Sequence, residues 1–307
     1  MSLLDAIILG LVEGITEFLP VSSTGHLIIA SGLLGLTRDP EMKRAVDDFA
    51  IVIQGGAILA VLGLYWPRVL QCVRSILPGS MEPDQRAAGR RLTINLIVAF
   101  LPAAVLGLLL NDYIDAYLFH TGPVLAALAL GGVWMIWLDK RRRRRLTDPA
   151  APDLDPDTPG RQVELTLDQL PWRRALVIGL LQCVAMWPGT SRSMMTIAGG
   201  MMTGLKPKDA AEFSFLLGLP TLGAACLYRL FKNVYEADQA GTPNMFDQLG
   251  WSNILLGTAV ATVSAAIAVK WLVGFLNRHG LAPFGWYRLA LCIVLGGLVA
   301  AGLVQVG

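Results

Sequence analysis

Charge is scarce in this chain: only 16% of its 307 residues are Asp, Glu, Lys or Arg, against 54% hydrophobic, and the mean hydropathy is +0.55. So apolar a composition excludes an ordinary cytosolic enzyme. Basic and acidic residues nearly cancel, 25 Lys plus Arg against 23 Asp plus Glu, and the basic ones are bunched, which argues against a nucleic-acid partner. There are three histidines, and the four cysteines (Cys72, Cys183, Cys226, Cys292) form no CxxC pair. A thiolate site or a multi-histidine transition-metal centre is therefore excluded, and the cysteines read as small buried hydrophobes. Met1 to Leu19 lacks a basic start and carries Glu13 and Glu17 inside its apolar stretch, so it does not read as a cleaved signal peptide.

What is abundant is apolar length. A helix needs about 20 mostly apolar residues to cross the hydrocarbon, because backbone polar groups cannot go unpaired in lipid. Six segments qualify: 47–66, 92–110, 121–139, 210–231, 251–273 and 285–305. Two more apolar stretches, 3–36 and 175–205, are broken midway by Pro, Gly and a knot of hydroxyl residues, and read as re-entrant helix-turn-helix hairpins. The predicted fold class is thus an all-α integral membrane protein with six transmembrane helices and two re-entrant hairpins.

Loop charge orients these segments. Loop 67–91 holds Arg68, Arg74, Arg86, Arg90 and Arg91, and the stretch after 139 holds Lys140, Arg141 through Arg145, Arg161, Arg173 and Arg174; both are predicted cytoplasmic. Loop 111–120 carries Asp112 and Asp115, and loop 233–250 carries Glu236, Asp238 and Asp247, with no basic residue in either; these face outward. Arg38, Lys43 and Arg44 fall on the outer side against the trend. By parity the first hairpin enters from outside and the second from the cytoplasm. The halves also echo one another: Pro20-Val21-Ser22-Ser23-Thr24 matches Pro188-Gly189-Thr190-Ser191-Arg192, and Phe49 to Tyr65 reads like Phe213 to Tyr228. An inverted-topology repeat follows, 1–139 and 175–307, joined by a basic, Pro- and Asp-rich linker at 140–174 whose stretch 147–171 reads as poorly ordered.

Chemistry concentrates at the two breaks. Glu13 and Glu17 lie four apart and project from one helical face. A charge at membrane depth is costly, so this pair is a functional candidate by default. Ser22, Ser23, Thr24 and His26 follow directly, at the start of a new helix whose free N–H groups and dipole attract anions. The second knot sets Arg192 among Thr190, Ser191 and Ser193. An arginine fork suits phosphate oxygens, though Arg192 could equally pair with Glu13 or Glu17. Pooled, these groups suit a diphosphate with a divalent metal: carboxylates hold a hard cation, and Arg with hydroxyl donors steadies the phosphoryl group.

The runs Glu13-Gly14-Ile15-Thr16-Glu17-Phe18-Leu19-Pro20-Val21-Ser22-Ser23-Thr24-Gly25-His26 and Pro188-Gly189-Thr190-Ser191-Arg192-Ser193 closely resemble the two signature motifs of the bacterial undecaprenyl-diphosphate phosphatase, or bacitracin-resistance, family. The resemblance extends through Gln54 within Phe49 to Tyr65 and through Glu212-Phe213-Ser214-Phe215. It implies a multi-pass inner-membrane hydrolase that converts undecaprenyl diphosphate to undecaprenyl phosphate and inorganic phosphate, recycling the lipid carrier of peptidoglycan synthesis and conferring bacitracin resistance. Its partners would be that polyprenyl lipid and membrane lipids. It further implies Mg²⁺ or Ca²⁺ as cofactor on Glu13 and Glu17. Catalytic roles would fall to Glu13, Glu17, Ser23, His26 and Arg192, and substrate contacts to Ser22, Thr24, Gln54, Thr190, Ser191, Arg192 and Ser193. The site would open to the periplasm, and the family is associated with homodimers. One departure stands out: Met194 occupies a position where the family usually has Gly, which puts the geometry of the second turn in question.

A polyprenyl-phosphate flippase is the competing function, since inverted repeats with broken elements at the midplane also build alternating-access carriers. A phosphatidic-acid-type phosphatase would need a second His soon after Ser-Arg, and the next one is His279. The topology has a direct check. In a background without the native cysteines, a membrane-impermeant thiol reagent added outside should label Pro40→Cys and leave Lys206→Cys unlabelled until the membrane is opened.

Overall fold

A computed structural model describes residues 1–79, 81–147 and 164–306. Among them the chain is helical throughout, with one isolated parallel bridge between Leu165 and Leu205 and no strand. Six helices are long and apolar enough to cross a membrane: α3 (Pro40–Leu64), α5 (Pro83–Leu118), α6 (Thr121–Thr147), α9 (Pro207–Ala240), α11 (Trp251–His279) and α12 (Ala282–Ala300). The two broken stretches each become a pair of short helices, α1 (Leu3–Thr16) with α2 (Ser23–Leu33), and α7 (Trp172–Val184) with α8 (Arg192–Met202). Each of the six sequence segments lies largely within one long helix. Their ends run further than expected, since α5 and α9 continue through what reads as loop. The basic loop 67–91 also contains a short helix, α4 (Trp66–Ile76), and the acidic loop 233–250 another, α10 (Met245–Leu249).

Local chemistry sets these boundaries. Ser2 and Asp5 form a reciprocal capping box on α1, and Asp39 caps α3. Proline sits in the first turn of α3, α5, α9 and α12, where its missing N–H costs nothing. Along α3 the buried residues Phe49, Ile53, Ala57, Ala60 and Val61 recur at helical spacing and face inward. Leu108, Leu130, Val263 and Ile293 point out of the bundle instead, as lipid-facing side chains do.

Packing crosses between the chain halves. The first short helix, α1, lies against α11 of the second half, and α7 lies against α5 of the first. In both places a glycine lets two backbones approach: a Cβ on Gly10 would fall 2.6 Å from the Gly257 carbonyl oxygen, and one on Gly179 would meet the backbone of Ala99. Small residues at helix contacts are how membrane helices gain dispersion contact where no hydrophobic drive exists between them. Helices α8 and α9, α3 and α9, and α6 and α12 complete the bundle.

Part of the expected linker is described. Residues 148–163, with Arg161, lie outside the described residues. Residues 164–170 are ordered: Leu165 bridges to the strand-like turn at Gly204 and Lys206, Leu167–Gln169 forms a 3-10 turn, and Leu167 and Leu170 are buried. Asp209 accepts the Leu167 N–H at 3.0 Å, Asn95 donates to the Leu170 carbonyl at 2.7 Å, and Arg142 pairs with Glu164 at 2.7 Å. Three leucines within six residues supply the apolar anchor that a reading based on Pro and Asp content passes over.

Gly10→Ala should lower stability by about 1–3 kcal/mol through overpacking against α11. Gly63→Ala, whose added methyl meets nothing within 4 Å, should be neutral or slightly stabilising. Thermal unfolding midpoints in one detergent compare the two directly.

Candidate active site where two helix turns meet

The residues joining α1 to α2 and α7 to α8 come together. Both turns place a serine just before the second helix with a backbone that side-chain-bearing residues seldom adopt, Ser22 at φ 76° and Ser191 at φ 75°. Among the described residues these are the two non-glycine positions with positive φ. Such backbone costs on the order of 1–3 kcal/mol and persists where the surroundings over-determine it. Each serine then caps its helix, Ser22 Oγ accepting from the Gly25 N–H and Ser191 Oγ from the Met194 N–H, both at 3.3 Å. The outcome is a matched pair of turns that present the next side chains, Ser23 and Arg192, to each other's neighbourhood.

Glu17 bridges the turns. Its Oε1 accepts from Arg192 Nη2 at 3.0 Å and its Oε2 from Ser23 Oγ at 2.8 Å. Both members of the ion pair are nearly buried, side chains 5% and 10% exposed. Arg192 also donates to the Ser214 carbonyl at 3.1 Å and lies over the Phe18 ring at 5.2 Å. Beside it, Ser193 Oγ donates to the Leu19 carbonyl at 2.8 Å while accepting from Ser191 at 3.0 Å, a second link between the turns. Phe215 packs edge to face on Phe18 and tilted against Tyr65, an aromatic cluster beside the pair.

Glu13 lies one turn back on α1, 1% exposed, with Oε2 buried and unpartnered. Gln54 of α3 lines the same cavity as Glu13. Glu13, Gln54, Ser23 and Thr24 line one end of a cavity of about 390 Å³, which continues past apolar Leu27, Ile28 and Ile51 to Asp47, Asp48 and Arg229. The lining is mixed, with charged and hydroxyl groups at both ends and aliphatic side chains between, which suits a ligand that is itself amphipathic.

His26 takes another direction. Its Nδ1 lies 2.7 Å from the Ser22 carbonyl, so it carries a proton there, and its Nε2 lies 2.7 Å from the Tyr287 hydroxyl. The ring stacks on Tyr287 and is not part of the cavity wall. Thr190 is buried and its N–H returns to the Trp187 carbonyl, which makes it part of the turn's frame. Met194 points away into α6, while Arg192 keeps its bond to Glu17. The Met194 side chain is buried against Gly131 of α6, where a Cβ would fall 3.0 Å from the Met194 sulfur.

Arg288 was not among the sequence candidates. Fully buried, it donates from Nη2 to the carbonyls of Ala127 at 3.0 Å and Gly189 at 2.8 Å, fastening the second turn to α6 and α12. Its signal was present: a lone arginine inside an apolar run at membrane depth. Among the described residues no cluster of three or more His, Cys, Asp or Glu could hold a metal. Two carboxylates are nevertheless what a hard divalent ion takes when phosphate and water complete its shell. The unpartnered Glu13 oxygen fits that use.

Six helices long and apolar enough to cross a membrane, with an acid–base pair buried among them, define a multi-pass membrane protein. Over residues 6–294 the chain matches the family described as "Bacitracin resistance protein BacA", and it belongs to that family. It is 44% identical over 287 residues to the "Undecaprenyl-diphosphatase" of Sorangium cellulosum, covering 94% of this chain and 83% of that one. It is 43% identical over 305 residues to the "Undecaprenyl-diphosphatase 2" of Rhodospirillum rubrum, covering 99% and 97%. It is also 43% identical over 290 residues to the "Undecaprenyl-diphosphatase" of Desulfovibrio desulfuricans, covering 94% and 96%.

Arg192→Met should cost about 3–5 kcal/mol, because it strands a buried carboxylate. Adding Glu17→Met should restore much of that loss, since the stranded charge goes too. A double-mutant cycle on unfolding free energies reads the coupling.

Proposed function

We propose that this protein is an undecaprenyl-diphosphatase, which hydrolyses the lipid diphosphate to undecaprenyl phosphate and inorganic phosphate, recycles the carrier for peptidoglycan synthesis and confers bacitracin resistance. The carrying observation is the Glu17 carboxylate shared by Arg192 and Ser23 beside a cavity that joins polar groups to an aliphatic flank. In this reading the prenyl tail lies along the aliphatic flank and the diphosphate reaches the end lined by Glu13 and Ser23. Arg192 trades part of its hold on Glu17 for phosphate oxygens, aided by Ser191 and Ser193 and by the N–H groups at the start of α8. Ser23, Ser22 and Thr24 face the phosphate from the other turn. Glu17 accepts the proton of the attacking oxygen through the hydrogen bond that Ser23 now makes to it. Ser23 Oγ bonds to the terminal phosphorus as the P–O anhydride bond breaks and undecaprenyl phosphate departs with the bridging oxygen; water then cleaves the phosphoserine, its oxygen leaving in inorganic phosphate and a proton returning to Ser23 Oγ.

Glu13 and Glu17, with Gln54 near by, would hold Mg²⁺ or Ca²⁺, which supplies neutralisation of the diphosphate charge when bound. His26 serves the site from behind by holding the Ser22 carbonyl, and so the strained turn. We further propose that α1–α2 and α7–α8 are re-entrant hairpins of an inverted repeat, 1–139 and 175–307, with the site opening to the periplasm. The swapped contacts of α1 with α11 and α7 with α5, and the twin positive-φ serines, support that arrangement.

Phosphate release from undecaprenyl diphosphate by the purified protein should fall about 10²- to 10³-fold in Arg192→Ala and in Glu17→Ala. Release should stop on chelation and return with Mg²⁺ or Ca²⁺. Full turnover in Arg192→Ala would remove the scheme, and lipid movement without phosphate release would favour carriage over hydrolysis.

A further inference from the structure

A second hollow, of about 470 Å³, lies between α4 and the first turns of α5 and shares no residue with the carboxylate cavity. Arg86 and Arg90 line it together with aliphatic Ile76, Leu77, Ile94 and Ile97, and no acidic side chain does. The two arginines are one turn apart on α5 and project to one side, where like charges repel. Among the described residues neither pairs with a carboxylate, and Arg86 Nε is buried with no hydrogen-bond partner. The hydroxyls of the wall do not relieve it: Ser75 donates to the Cys72 carbonyl and Thr93 to that of Gly89. The hollow therefore presents a pair of guanidinium groups with donors to spare.

Below the arginines the same face of α5 turns oily. Ile94, Ile97, Leu101, Val105 and Leu108 follow at spacings of three and four, exposed by 49%, 52%, 50%, 52% and 74%. From Arg90 to Leu108 the helix rises roughly 27 Å at 1.5 Å per residue, close to the hydrocarbon thickness. Ile76 and Leu77, 68% and 53% exposed, form the facing wall. A cationic head position continuous with an aliphatic track is complementary to an anionic amphiphile, and basic pockets between membrane helices take such head groups. A zwitterionic head group would bring a cation that finds no acid here. Free phosphate would leave the aliphatic track unused.

We propose that the groove between α4 and α5 binds an anionic phospholipid, its phosphodiester held by Arg86 and Arg90 and one acyl chain laid along the Ile94–Leu108 face. The site is separate from hydrolysis and stands or falls independently of it.

Native mass spectrometry of the full chain, equilibrated with equimolar phosphatidylglycerol and phosphatidylcholine of matched acyl chains, tests this. The wild type should retain phosphatidylglycerol in preference. R86Q/R90Q should lose roughly fivefold of that preference per arginine removed. K140Q/R278Q, in a different basic hollow beside Trp286, should keep it. R90Q alone, at an exposed position, covers a pair that fails to fold and should lose roughly fivefold. A wild type without preference, an unchanged R90Q, or equal loss in both double variants would overturn the site, the last by showing diffuse charge attraction.

Discussion

A carboxylate and a guanidinium held 3.0 Å apart inside an apolar bundle set the terms for everything around them. Each charge alone would be expelled from such a place, and together they are tolerated only with close geometry and further hydrogen bonds. Those bonds are supplied here by Ser23 on Glu17 and by the Ser214 carbonyl on Arg192. The pair can exist only where two turns, 175 residues apart in the chain, are pressed together. That requirement explains the glycines that let α1 sink onto α11 and α7 onto α5, the Ser193 bond to Leu19, and the Arg288 brace on Gly189.

The same constraint explains why the turns are strained. A helix reversing direction at Ser22 or Ser191 must place its next side chain inward, and a positive φ does this within one residue. Glycine would adopt that backbone at less cost, but it would remove the Oγ that caps the following helix. Serine at both positions is thus a compromise between backbone ease and capping. His26 and Tyr287 hold one turn from behind and Arg288 holds the other, so the strain is opposed on both sides.

Membership of the BacA family and the diphosphatase reading meet at this pair. The site keeps one acidic oxygen unpartnered, on Glu13, and one guanidinium nitrogen unpartnered, on Arg192 Nε, and the proposed ligand, an anion with its counter-ion, would use both. Leu27, Ile28, Val46 and Ile51 in the same cavity would meet the hydrocarbon portion of such a ligand. The basic hollow on α4 and α5 has the complementary composition, cationic head and aliphatic track, without carboxylates.

Hydropathy and charge placement in the sequence determined that six long helices and two broken stretches would form, because lipid forbids unpaired backbone and so rewards uninterrupted apolar length. Residue chemistry alone also marked Glu13, Glu17, Ser23 and Arg192, since ionisable groups stand out against an oily background. Other features depended on distance through space. Sequence allows Arg192 to pair with Glu13 or Glu17, and contact between the turns selects Glu17. The turning of His26 towards Tyr287 and the housing of Met194 beside Gly131 belong to neighbours that are remote in the chain. Leu165, Leu167 and Leu170 anchor a stretch that composition reads as linker, because burial depends on the surface they meet and not on the average polarity of the segment. Local sequence fixes what a helix is; which faces meet is set by the packing of the whole bundle, where a single glycine can decide whether two backbones come close enough for a buried charge to find its partner.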